Sequence, residues 1–349
     1  MRATLWMAGT LTVLFAAPPD KGGLPLAKVD VTEPKQTALI AFDGSTEVLY
    51  ISSVLRPKEK TRILEILPLP GEPTVELADA RVIDRAAAVY NARVQKELER
   101  RARQRRREAL QRTGVSLVIM APILTIAIVL ARRGHRVTAL LTMLFGVFFL
   151  FIIATPGMLA RSVGAVETTV EVLSQQQLGP HSITVVKTRE PADISAWVEE
   201  LFRKEGGDPT AFDQGWRDLL ESYVRNGCPY FAVDLIDADP ASGPIAPLRY
   251  TFPAKAPWFP LRISSRGHGA SDILLMLLLP GENVWKATFE DQFHEVGRLY
   301  RGFDMSPQEL KSIDSVLEDR FKSTTSKLYA VRFQRRLEDL KADFVLKAN

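Results

Sequence analysis

The 349-residue chain has one cysteine, Cys228, and four histidines, at 135, 181, 268 and 294. A single cysteine excludes an internal disulfide and a Cys-based zinc cluster. The histidines lack close metal spacing such as H-E-x-x-H, so neither a metal nor a cofactor is expected. P-loop, G-x-S-x-G, Rossmann and kinase patterns are missing, and no catalytic residue is assigned. The composition also lacks extremes. With 46% hydrophobic and 25% charged residues, the chain is not wholly disordered or collagen-like. Its length gives room for about two domains.

The net charge of +4 is unevenly spread. Residues 93–112, RVQKELERRARQRRREALQR, hold nine Lys and Arg against three Glu, a local charge of +6 that leaves −2 elsewhere. The chain is a near-neutral body with one basic rod, and its cations are not interleaved with aromatics as nucleic-acid binding would need. Arg100, Arg101, Arg103, Arg105, Arg106, Arg107 and Arg112 are the candidate contact residues, for anionic lipid headgroups or an acidic protein partner. Near a lipid surface each such cation contributes about 1 kcal/mol.

Charge is missing altogether from residues 114–131 and 137–160, runs of 18 and 24 positions. Each is long enough to cross a bilayer as a helix. The short basic loop 132–136 joins them. The pattern predicts a two-helix transmembrane hairpin, with the flanking segments in one compartment. At the N-terminus an apolar run, Ala3 to Ala17, is stopped by Pro18-Pro19. Fifteen helical residues span ~22 Å, short of a ~30 Å hydrocarbon core. Residues 1–17 therefore read as a signal peptide or an N-terminal anchor. A signal puts the main domain outside the cytoplasmic membrane. The Lys and Arg count before the first span favours the inverted, cytoplasmic arrangement. The extracytoplasmic placement is preferred, because the N-terminal run otherwise has no role.

The flanking segments, 24–79 and 165–349, predict an α+β fold of mixed strands and helices, interrupted by the Arg-rich stalk helix 80–113 and the hairpin. Strands are expected at 37–43 and 46–54 around Asp43-Gly44. Others are expected at 61–67 (ended by Pro68), 167–173, 182–188, 229–237, 246–252, 259–265 and 272–279. Helices are expected at 191–204, at 208–226 from an Asp208 cap, and from Ser306-Pro307 for about fifteen residues.

These segments resemble the DUF2330 family of uncharacterised bacterial exported proteins. The likeness is carried by VTEPKQTALIAFDGSTEVLYISSVL, by the Pro-x-Pro element in EILPLPGEPTVE, and by VEVLSQQQLGPHSITVVKTREPADISAWVEELFRKEGG. It continues in LLESYVRNGCPYFAVDLID, APLRYTF and WFPLRISS, with KLYAVRFQRRLEDLKADFVLKA as a tail. The basic rod and hairpin depart from the family's usual linker. The resemblance implies one composite extracytoplasmic domain, and brings no established activity or catalytic residues with it.

Candidate chemistry is thin. Cys228 as nucleophile would need His181, His268 or His294 as base. The Gly- and Ser-rich stretch 264–272 offers backbone N–H groups to an anion, or is simply a hairpin loop. Trp258, Phe259, Trp285 and Phe289 read as core. The expected function is a membrane-anchored binding module. The alternative is a hydrolytic enzyme with its site near 228–268.

Overall fold

The computed structural model describes residues 22–27, 29, 31–32, 35–53, 56–104, 170–240, 245–281, 285–287 and 302–348. Contacts divide the chain into two units, Met1–Tyr90 with Gly164–Asn349, and Asn91–Val163.

In the first unit, apolar residues alternate in some strands and run continuously in those covered on both faces, as in ALIAF and ILLMLLL. The strands are β1 (Gly22–Pro25), β2 (Val31–Thr32), β3 (Lys35–Phe42), β4 (Thr46–Ser53), β5 (Arg56–Pro57), β6 (Thr61–Leu69) and β7 (Thr74–Leu77). After them come β8 (Glu171–Leu178), β9 (His181–Lys187), β10 (Tyr230–Ala238), β11 (Leu248–Pro253), β12 (Trp258–Phe259), β13 (Ala270–Pro280), β14 (Trp285–Ala287), β15 (Phe303–Asp304), β16 (Ser326–Arg336) and β17 (Phe344–Ala348). A five-stranded sheet runs β1-β6-β10-β9-β8 and a seven-stranded sheet β15-β16-β13-β3-β4-β11-β7. Every pairing in them is antiparallel except β13 with β3. Smaller sheets join β12-β17-β14 and β2-β5.

The two large sheets stack as a sandwich. Along one edge Gln176 Nε2 on β8 donates to Val75 O on β7 at 3.1 Å, and His181 Nε2 on β9 meets Ala246 O, just before β11, at 3.0 Å. Between them lies one contiguous core that includes Ala38, Ile40, Leu49, Ile51, Leu67, Ile183, Val185, Tyr250 and Leu275. The opposite face of the five-stranded sheet is covered by α2 (Pro191–Lys204) and α3 (Gln214–Arg225). Arg62, on that face, holds Glu205 at the end of α2 at 2.9 Å. The outer face of the seven-stranded sheet is covered by helical residues 82–90 (α1), α4 (Pro307–Ile313) and α5 (Ser315–Phe321). Tyr50 reaches Asp314 between α4 and α5, and Arg85 of α1 donates to Ile313 O at 2.7 and 2.9 Å.

The expected α+β fold with a transmembrane hairpin needs correction. Sheets carry the described architecture, and the helices are short covers on their faces. Among the described residues no helix is long and apolar enough to cross a membrane. The physical reason is that the apolar residues of the flanking segments lie in strands, the central ones buried on both faces, so their burial is spent within sheets. The helical residues 91–104 carry seven charged side chains. Segments 1–17, 114–131, 132–136 and 137–160 lie outside the described residues.

Local expectations are also revised. Residues 261–266 form a 3-10 turn, burying Leu261, Ile263 and Ser264, where a strand was expected. Helix α3 starts at the Asp213 cap, whose carboxylate accepts from Trp216 N at 3.0 Å. Asp208 caps only a turn, through Thr210 N at 2.9 Å. Strand β6 passes through Pro68 to Leu69. It does so because β1 pairs only with Ile63 to Ile66, so the missing N–H costs no ladder bond on that side. The helix from Ser306 breaks in two at Asp314.

Candidate functional site

Cys228 follows α3 after Gly227, whose φ of +85° suits the turn. Its N–H donates to Tyr223 O at 2.9 Å. The side chain is buried. Burial pushes the thiol up to about 12, reinforced by the charge of Asp343 and opposed by that of Arg262. Cys228 is therefore a neutral thiol, the unreactive form. The proposed bases are not brought to it. His181 is committed to Asp234 and Ala246, His268 is exposed, and His135 and His294 lie outside the described residues.

The 264–272 stretch is not an anion cradle. Gly269 N faces the Glu338 carboxylate at 3.4 Å, and Arg266 is bound to Asp213 at 2.5 Å while lying over the Trp216 ring. Acidic groups of the chain already occupy the positive positions. Trp258 and Phe259 are core residues, 8% and 0% exposed.

The sequence reading missed a buried polar cluster inside the sandwich. Glu65 on β6 lies directly opposite Asp234 on β10. His181 Nδ1 meets Asp234 Oδ2 at 2.6 Å. The three are 0%, 1% and 2% exposed. His181 bonds toward the seven-stranded sheet, so this face of β6, β10 and β9 looks into the sandwich. Both imidazole nitrogens face oxygen acceptors. A carbonyl only accepts, so Nε2 is the donor to Ala246 O. The triad is chemically suited to acid–base work, yet no solvent reaches it. The signal that would have found it is a carboxylate at an inward position of an apolar strand, as in TRILEIL and YFAVDLID.

A second buried acid sits on β4. Glu47 is fully enclosed, and burial pushes its carboxyl well up, against a smaller opposite pull from the Trp258 N–H bonded to it at 2.8 Å. Burial therefore favours its neutral form.

The described residues of the second unit, 91–104, are helical, and most are exposed. Arg101 pairs with Glu97 at 3.1 Å and Arg103 with Glu99 at 2.9 Å, both i,i+4. Arg100 is exposed too. Steps of three, four and three residues place Arg93, Lys96, Arg100 and Arg103 on one helix face. Arg105, Arg106, Arg107 and Arg112 lie outside the described residues. Among the described residues no cluster of His, Cys, Asp or Glu has metal-holding geometry.

A family model described as "Uncharacterized protein conserved in bacteria (DUF2330)" matches residues 21–297. A search of curated proteins found no match. Among solved structures, the chain is similar to a mutated baculovirus P35 after caspase cleavage, determined at 3.1 Å. The identity is 8% and the TM-score 0.37, over 90% of this chain and 97% of that one. A 2.7 Å structure of a mutated baculovirus P35 after caspase cleavage gives 8% and 0.31, over 89% and 93%.

Proposed function

The chain belongs to the DUF2330 family, and we propose that it works as a non-catalytic binding module whose cationic helix engages an anionic lipid surface. The observation that supports this is the Arg93, Lys96, Arg100, Arg103 stripe, set on one helix face at three- and four-residue steps. Lys and Arg gathered near a surface of anionic headgroups add their attractions roughly singly. Arg101 and Arg103 pair with Glu97 and Glu99 of their own helix, and both arginines are more than half exposed. Such pairs are weak in water and yield readily to a denser anionic surface. The sandwich fits the reading as a rigid body. Its thiol is held neutral, and both nitrogens of His181 are committed. The extracytoplasmic location is part of the proposal and is supported by the signal-like run at residues 3–17.

Sedimentation with phosphatidylcholine vesicles, with and without phosphatidylglycerol, tests the reading. Binding should require the anionic lipid and fall steeply as salt is added. Binding that ignores lipid charge, or none in low salt, would sink it. Capture of an acidic protein in place of anionic vesicles would transfer the stripe to the other partner class.

A further inference from the structure

The sandwich has four sheet edges, and three are blunted. Edge strand β1 has four residues and ends in Pro25, β15 has two, and β7 has four. Short edges and proline are the ordinary protection against edge-to-edge pairing. Strand β8 differs. It has eight residues, EVLSQQQL, with no proline, lysine or arginine and one charge, Glu171, at its start. None of its eight residues is buried, five are exposed, and Val172 is 49% exposed. Pairing with β9 is bulged between Val172 and Ser174 and regular from Ser174 to Leu178. Among the described residues no strand lies on its outer side.

We infer that this edge is a self-association surface, on which β8 of a second copy adds antiparallel about a two-fold axis at Gln176. The occupant follows from the sequence of the edge. A two-fold at Gln176 sets Gln175 opposite Gln177 of the other copy and Ser174 opposite its Leu178. Side chains that share a face then meet, as a continuous antiparallel sheet requires. Glu171 lies outside the regular segment, so no like charges oppose each other. A segment that is uncharged and polar along its centre is complementary to itself, and an isologous contact needs that property. The apolar rim is supplied by the neighbouring edge. Leu77 of β7 is 42% exposed and sits beside Gly179, where a Cβ would lie 3.8 Å from it. Pairing joins the two five-stranded sheets into one of ten strands and satisfies the outward N–H and C=O groups of both edges.

The test is sedimentation equilibrium of the full chain over a wide concentration range. Wild type should show a monomer–dimer equilibrium. Gln175→Lys with Gln177→Lys places two like-charge pairs across the axis and should weaken the dimer by about tenfold or more. Gln175→Lys with Gln177→Glu creates two opposite-charge pairs in the same register and should restore it. Circular dichroism checks that each variant is folded, and Gln175→Glu with Gln177→Glu, which also sets two like-charge pairs across the axis, is the substitute should the double-lysine chain fail. A wild type that stays monomeric, a double-lysine dimer as tight as wild type, or a Lys/Glu chain that is not restored would each overturn the inference.

Discussion

His181 and Asp234 meet at 2.6 Å with side chains 3% and 1% exposed, whereas Arg103 and Glu99 meet at 2.9 Å with side chains 77% and 64% exposed. The distances are alike and the consequences are not. Breaking a buried pair by removing one partner strands the other in a medium that cannot solvate it. Breaking the exposed pair returns two charges to water. The interior pair is therefore a lock between β9 and β10. The exposed charges are replaceable by anything of the right sign. The difference teaches that polar chemistry in a closed core reports on stability, while recognition is sought where charge is held loosely.

The largest expected effect comes from the lock. Asp234→Ala should destabilise the protein by about 3–5 kcal/mol, read as a fall in the denaturant midpoint. His181→Phe with Asp234→Leu, which removes both partners and fills the volume, should cost less than that. If Asp234→Ala shifts the midpoint no more than a surface change, the buried pair is not the lock described.

Glu47 sharpens the comparison through pH. Its folded-state value is raised, so the folded chain keeps a proton that the unfolded chain releases. Stability on this account is full below the ordinary carboxyl value of about 4.3 and falls as pH rises toward the raised one. The slope is at most about 1.4 kcal/mol per pH unit. Glu47→Gln keeps an oxygen for the Trp258 N–H; it should match wild type near pH 4 and become the more stable of the two as pH rises above the ordinary carboxyl value. Parallel profiles for the two proteins would show that Glu47 is ionised in the fold.

The legible parts of the fold were those fixed by local chemistry. Asp43-Gly44 gave the β3–β4 turn because the Asp43 carboxylate accepts from Ser45 N and Thr46 N, both at 2.9 Å, while Gly44 takes φ +110°. Ser306 gave a helix start because its hydroxyl and the Glu309 carboxylate cap each other's backbone. The lost parts were decided by distant partners. Leu261, Ile263 and Ser264 became a buried 3-10 turn where alternation suggested a strand, and Asp213 outcompeted Asp208 as a cap. At the candidate sites the arginine run was plain in the composition. The Glu65–Asp234–His181 cluster was not, because its members lie on three strands, and only sheet register sets Glu65 opposite Asp234 and brings His181 beside it.

The smallest stability effect belongs to the exposed helix. Arg101→Ala should change the unfolding midpoint by no more than about 0.5 kcal/mol, the value of a solvated i,i+4 pair. A change several times larger would mean that this residue is a structural contact and not one half of a solvated pair.

The claim that binding resides in the loosely held charge is tested most directly by Lys96→Glu with Arg100→Glu. Titration of this folded variant and of wild type with phosphatidylglycerol-containing vesicles at low salt gives two isotherms. Reversing two charges of the stripe should weaken binding by at least about tenfold, since each cation contributes about 1 kcal/mol near such a surface. Superimposed isotherms would contradict the account and remove the cationic stripe as the binding surface.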